Sequence, residues 1–233
     1  MGGQNLQVIV QKVVPPDGET DLSMLLPTGP IDLESLEVEF QTLIGRIQDE
    51  PLQRLVKQVF SGKRYERFLR NPAGMRLHHA YVGGLLHHTV CVARLALSMG
   101  KTICGVDLDL ILAGALLHDI GKLREISAGL GFPYTTEGRL MGHISMGAML
   151  ISRIAENIPD LSRIRLDELL HIILSHHGDH EKGSPVFCAT KEAFIVHYAD
   201  ETDAVLNQFQ TDGKETWAFN KMLQRFLVVN PLE

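Results

Sequence analysis

The chain has 233 residues, 45% of them hydrophobic, which is enough to bury one sizeable core. A formal net charge of −6 excludes any general attraction to nucleic acid or anionic membranes, so a polyanion would have to meet a local patch. Cys91, Cys104 and Cys188 show no paired spacing, no apolar run is long enough to span a bilayer, and no signal-peptide pattern opens the chain. The expectation is a cytoplasmic protein with no disulfide framework and no membrane association.

In chain order, residues 5–14 alternate and are rich in Val, a strand pattern broken by Pro15 and Pro16. A lone strand is not stable by itself, so this one is expected to end a β-module or to pair with another chain, which would make the protein a homo-oligomer. Residues 27–32 form a Pro/Gly linker. From Leu33 on, the pattern is helical. Leu36, Phe40, Leu43, Ile44 and Ile47 keep helical spacing, as do Leu52, Leu55, Val56 and Val59 after Pro51. Further helices are predicted over about 83–99, 108–119, 141–157, 163–177, 188–208 and 214–227, with Asp107 and Asp109 as candidate caps of the helix over 108–119, the one leading to His118. Between Glu125 and Gly142, four residues (Gly129, Gly131, Pro133 and Gly138) mark a loop that could serve as a lid. The fold class is all-α: a helical bundle with a short N-terminal β segment, divided into residues 1–32 and 33–233.

All 11 histidines fall between His78 and His197. His118 and Asp119 end the apolar stretch Leu110 to Leu117. Burying an imidazole beside a carboxylate is costly unless something compensates, and a divalent ion binds neutral His and ionised Asp together. His88 starts a helix, His143 opens another, His176 and His177 end a third, and Asp200 lies in a fourth. Converging helices in a bundle core are a known way to build dinuclear sites. His118, Asp119, one His and one Asp would give four ligands for one ion. A bridging carboxylate with His143 and either His176 or His177 would hold a second. Such a mixed His/carboxylate set suits Mn²⁺ or Fe²⁺, with Ni²⁺, Zn²⁺, Co²⁺ or Mg²⁺ as alternatives.

The order His88, His118-Asp119, His143, His176-His177, Asp200 resembles the HD superfamily of metal-dependent phosphohydrolases. The longer motifs HHAYVGGLLHHT (78–89), GALLHDIGK (114–122), YTTEGRLMGHI (134–144), ILSHHG (173–178) and GSPV (183–186) are similar to the YhaM-type 3′→5′ exoribonucleases. The resemblance covers roughly residues 5–209. It implies an all-α HD domain over 33–233, a divalent metal, and hydrolysis of phosphodiesters in RNA or single-stranded DNA. It also implies an OB-type barrel in front of the HD domain, of which residues 1–32 look like the last strand and the following linker.

The resemblance further implies that His88, His118, Asp119 and Asp200 hold one metal, and that Asp119 bridges to a second held by His143 and His176. His88, rather than His87, matches the ligand position because it precedes Thr89. His177 is expected to join the second site or to contact substrate phosphate. Lys122, one turn past Asp119, is placed to neutralise a phosphate oxygen in the transition state. His79 and Arg139 are candidate phosphate contacts. Lys63, Arg64, Arg67, Arg70 and Arg76 form a basic stretch interleaved with Tyr65 and Phe68; such a stretch tracks a strand and stacks its bases, or else is a solvated face with its rings in the core. Three other readings stand beside the exonuclease: a phosphohydrolase of a small nucleotide or cyclic dinucleotide, a dinuclear iron oxygenase, and a non-catalytic binding module.

Overall fold

In the computed structural model, which describes residues 9–12, 14, 25–75, 79–209, 213 and 215–231, helices dominate. α1 (Leu33–Gly45), α2 (Glu50–Val59) and α3 (Gly62–Arg70) come first, then α4 (Gly84–Thr102), α5 (Leu108–Leu117) and the single turn α6 (Lys122–Glu125). α7 (Thr136–Ala155), α8 (Arg163–Ser175) and α9 (Lys191–Leu206) follow. All eight residues from Leu110 to Leu117 are buried. A helix apolar on every side must be surrounded. α4, α9, α8, α2 and α1 pack around α5 accordingly. Phe40, Phe60 and Phe68 close one side of the core, their ring centroids 4.6–4.9 Å apart.

Polar side chains fix where the helices start. Asp32, Asp49, Asp107, Thr135, Ser162 and Thr190 each accept a hydrogen bond from a backbone N–H in the first turn that follows. Asp107 is therefore a cap. Asp109 is not: its carboxylate accepts from the backbone N–H groups of Gln48 and Asp49, at 3.0 and 2.8 Å, and ties the α1–α2 corner to α5.

Three expectations are revised. The helix predicted over 214–227 is an antiparallel hairpin, β1 (Trp217–Asn220) and β2 (Arg225–Val228), with Trp217 opposite Val228. Its strands carry Trp217, Phe219, Phe226 and Val228, all β-prone, and the Asn220 side chain accepts from the N–H groups of Met222 and Leu223 to build the turn. The loop expected from Glu125 to Gly142 is shorter. Ile126 bridges Tyr134, and α7 begins at Thr136 with one break at Gly142 (φ 68°, ψ 154°). The strand expected over 5–14 lies mostly outside the described residues, and Ile9 to Lys12 and Val14 are exposed and not in a strand. No helix among the described residues is long and apolar enough to cross a membrane.

Arg165 joins two of the caps. Its Nε donates to Asp49 at 2.9 Å and its Nη1 to Asp107 at 2.6 Å. Arg165→Met is expected to destabilise the fold by about 1–2 kcal/mol, since hydrogen bonds to charged groups contribute about 1.5–3 kcal/mol and this one is partly solvated. Urea unfolding is the check.

Candidate metal centre

Helix ends deliver the imidazoles. α5 and α8 stop at His118 and His176, and each ring turns back on its own helix. His118 Nδ1 donates to the Ala115 carbonyl at 2.8 Å, and His176 Nδ1 to the Ile173 carbonyl at 2.7 Å. These bonds satisfy carbonyls that the last turn leaves without a partner. A carbonyl only accepts, so Nδ1 carries the proton and Nε2 keeps its lone pair. His177 Nδ1 likewise donates to the Lys182 carbonyl at 2.8 Å. His88, buried within α4, points Nδ1 at Asp203 Oδ2, 2.7 Å away. His143 points Nδ1 at the Glu125 carboxylate, 3.0 Å away. Five rings thus have one nitrogen fixed by an acceptor.

Asp119 lies where their other nitrogens converge. Its Oδ2 is 3.3 Å from both His88 Nε2 and His118 Nε2. Its Oδ1 is 3.5 Å from His143 Nε2 and 3.8 Å from His176 Nε2. Asp200 Oδ1 approaches His88 Nε2 to 3.2 Å. His88, His118 and His176 are wholly buried, and Asp119 is 2% exposed. Asp119 Oδ1, His143 Nε2 and His176 Nε2 are buried without a hydrogen-bond partner. Three orphaned donor atoms facing one another are what a cation would satisfy. His88, His118 and Asp119 form one cluster able to hold an ion, and His143, His176 and His177 another. The two carboxylate oxygens of Asp119 face one cluster each.

Two glycines make this convergence possible. A Cβ on Gly121 would lie 1.9 Å from the His143 carbonyl, so only glycine lets the chain after Asp119 pass under α7. Gly142, in its left-handed conformation, breaks α7 just before His143.

The charges are strongly coupled. Burial disfavours a charged His88, but bonds to Asp119, Asp200 and Asp203 outweigh it and hold the pKa well above its ordinary value. Burial, with the charges of His177 and His118, drives His176 well below. Burial, with His143, also lowers His177. Burial would raise the carboxyl of Asp119, yet Lys122 and His118 keep it well below the usual carboxylate range. Lys122 is itself buried, with Nζ 2.5 Å from Asp119 Oδ2.

The other candidates fall outside this convergence. His79 is buried behind His88, with Nδ1 2.8 Å from the Tyr81 hydroxyl and Nε2 2.8 Å from Asp203. Both its nitrogens are engaged within the fold. Arg139 is exposed on the segment before Gly142, its guanidinium 5.5 Å from the Tyr134 ring centroid. Phe68 lies in the core and Tyr65 bonds Glu37, so the rings of the basic stretch do not face outward to stack bases. Arg76 is outside the described residues. Asp203 and Glu125, the carboxylates that orient His88 and His143, were not anticipated. Asp203 lies three residues after Asp200 on α9, a spacing that places both on one helix face.

The HD domain family matches residues 76–205, more than half of the chain, and the chain belongs to that family. Over 207 residues, 89% of its length, the chain is 37% identical to a protein of Listeria innocua serovar 6a described as 3′-5′ exoribonuclease YhaM. The matched segment spans 65% of that relative's length. No solved structure matches the chain.

Asp203→Asn and Glu125→Gln are each expected to weaken metal affinity about 10–100-fold, the usual effect of removing a carboxylate that orients a ligating His. Manganese titration by calorimetry, beside the unmodified protein, measures it.

Proposed function

We propose that this chain is a metal-dependent 3′→5′ exonuclease acting on RNA or single-stranded DNA. The broader class, a hydrolase of phosphate esters, follows from the family and the relative. One observation carries the reading of the site: five imidazoles, each anchored through Nδ1, gather around a buried carboxylate whose two oxygens face separate clusters. We assign His88, His118, Asp119 and Asp200 to one ion, and Asp119, His143 and His176 to a second, with His177 at its edge. Nitrogen and carboxylate donors without thiolate suit Mn²⁺ or Fe²⁺. Bound there, a divalent ion supplies Lewis acidity, acidifying water and polarising the phosphoryl group.

The chain's own residues do the rest. Lys122 holds its proton, since the attraction of Asp119 and Asp200 outweighs burial. Its ammonium offsets the Asp119 charge in the free protein and is positioned to meet a phosphate oxygen. His177, partly exposed at the edge of the cluster and fixed by Lys182, faces the side from which substrate enters. Burial keeps its ring neutral, so it can accept a proton from water or from the reacting phosphate.

A 5′-labelled single-stranded RNA incubated with the protein and Mn²⁺ is expected to give a ladder that shortens from the 3′ end. Asp119→Asn is expected to slow this by on the order of 10²–10³-fold or more, the scale seen when a key electrostatic group is removed. An intact oligonucleotide alongside cleavage of a mononucleotide or cyclic dinucleotide would replace this reading with a small-nucleotide phosphohydrolase.

A further inference from the structure

In a protein of net charge −6, one cavity has only cations among its charged lining residues. Its volume is about 210 Å³, and its charged lining residues are Lys63, Arg64 and Arg67 of α3 and Arg124 of α6. Its floor is apolar and includes Ile120 and Met146. Ile120 and Gly121, which follow Asp119 directly in the chain, are among its lining residues.

What holds these cations matters more than their number. Arg64 Nη2 donates to the Gln58 carbonyl at 2.9 Å, and its Nε to the Val59 carbonyl. Arg67 Nη2 donates to the Leu123 carbonyl. Gln58 and Val59 lie in the last turn of α2, where carbonyls lack helical partners. A neutral carbonyl fixes a guanidinium in place without cancelling its charge. Burial accordingly lowers the pKa of Arg64, as expected for a cation with no anion beside it. Among the described residues no carboxylate pairs with Lys63, Arg64 or Arg67; Arg124 alone is paired, with Glu137. Each fixed guanidinium keeps further donors for an oxyanion.

We infer that this cavity is a second phosphate-binding site, distinct from the metal centre, that grips the backbone of a single-stranded nucleic acid whose 3′ end is being cleaved. The inference rests on the exonuclease reading for its substrate. A strand fits better than a free phosphate or mononucleotide. Three uncompensated cations on one helix exceed the charge of a single phosphate monoester, while a strand supplies phosphates in series. The apolar floor adds a surface for a sugar or base between them.

The test is fluorescence anisotropy with a 5′-labelled RNA 20-mer carrying phosphorothioate linkages at its 3′ end to slow cleavage, titrated at several salt concentrations. Among the described residues the Lys63 side chain makes no hydrogen bond or ion pair, so Lys63→Ala and Lys63→Glu are the variants; melting temperature and metal content confirm their integrity. Lys63→Ala is expected to reduce the slope of log affinity against log salt by about 0.7, the value for one phosphate contact on a single strand. Lys63→Glu is expected to weaken binding on the order of tenfold at low salt. Unchanged affinity and slope in both variants would overturn the inference. So would a Lys63→Glu protein that loses a labelled mononucleotide but binds the strand as before, since the cavity would then be a nucleotide site. A wild-type protein that binds the strand with the expected slope yet fails to shorten an unmodified one would sink the exonuclease reading and leave the cavity's assignment standing.

Discussion

The Asp119 carboxylate, buried among imidazoles, is the constraint on which the rest of the site depends. An isolated carboxylate in the core would take up a proton rather than stay charged. Here Lys122 and the surrounding rings keep it ionised. The arrangement is costly to disturb from either side, because removing one partner of a buried pair leaves the other uncompensated, at about 3–5 kcal/mol. A divalent cation held there by Asp119 and the imidazoles around it would relieve the same tension in another way. The buried atoms left without partners, Asp119 Oδ1, His143 Nε2 and His176 Nε2, lie on the side of the carboxylate away from Lys122. Lys122 thus satisfies Oδ2, and Oδ1 has no hydrogen-bond partner.

The orientation of the histidine rings is built outward from that carboxylate. Two mechanisms recur. At helix ends the histidine ring bonds the carbonyl three residues back, as His118 and His176 do. Within or at the start of a helix no such carbonyl is free, so a carboxylate takes its place: Asp203 for His88 and Glu125 for His143. Both fix Nδ1 and turn Nε2 toward Asp119. Asp203 is in turn held by His79, whose other nitrogen meets Tyr81. Within the motif of residues 78–89, His79 thus positions Asp203, and Asp203 positions His88.

Much of this was legible because polar residues at the ends of apolar helices are conspicuous. His118, Asp119, His143, His176 and Asp200 stand out against their neighbours, and the structure brings them together. Asp203 and Glu125 do not stand out. A carboxylate one turn beyond another reads as a solvated charge until the fold turns that face inward. The C-terminal hairpin was missed for a different reason. The spacing of Trp217, Phe219, Leu223, Phe226 and Leu227 is compatible with either period, and only the Asn220 turn decides it. The basic stretch was half legible: its charge was plain, but whether Phe68 faced solvent depended on its packing against Phe60 and against Phe40 of another helix.

The contrast between arginines carries the final step. Arg165 and Arg54 sit against carboxylates, Asp49 and Asp107 in one case and Asp160 in the other, and their charge is spent within the fold. Arg64 and Arg67 sit against carbonyls, which hold the guanidinium without neutralising it. A fold seeking only stability would gain more from a carboxylate at those positions, because charge-assisted bonds are stronger than bonds to neutral acceptors. Arginines fixed by carbonyls remain available to an external anion and lose little freedom when it arrives, since their side chains are already ordered. In an acidic protein, a cationic surface organised in this way attracts an anion where the net charge of the rest of the surface repels it.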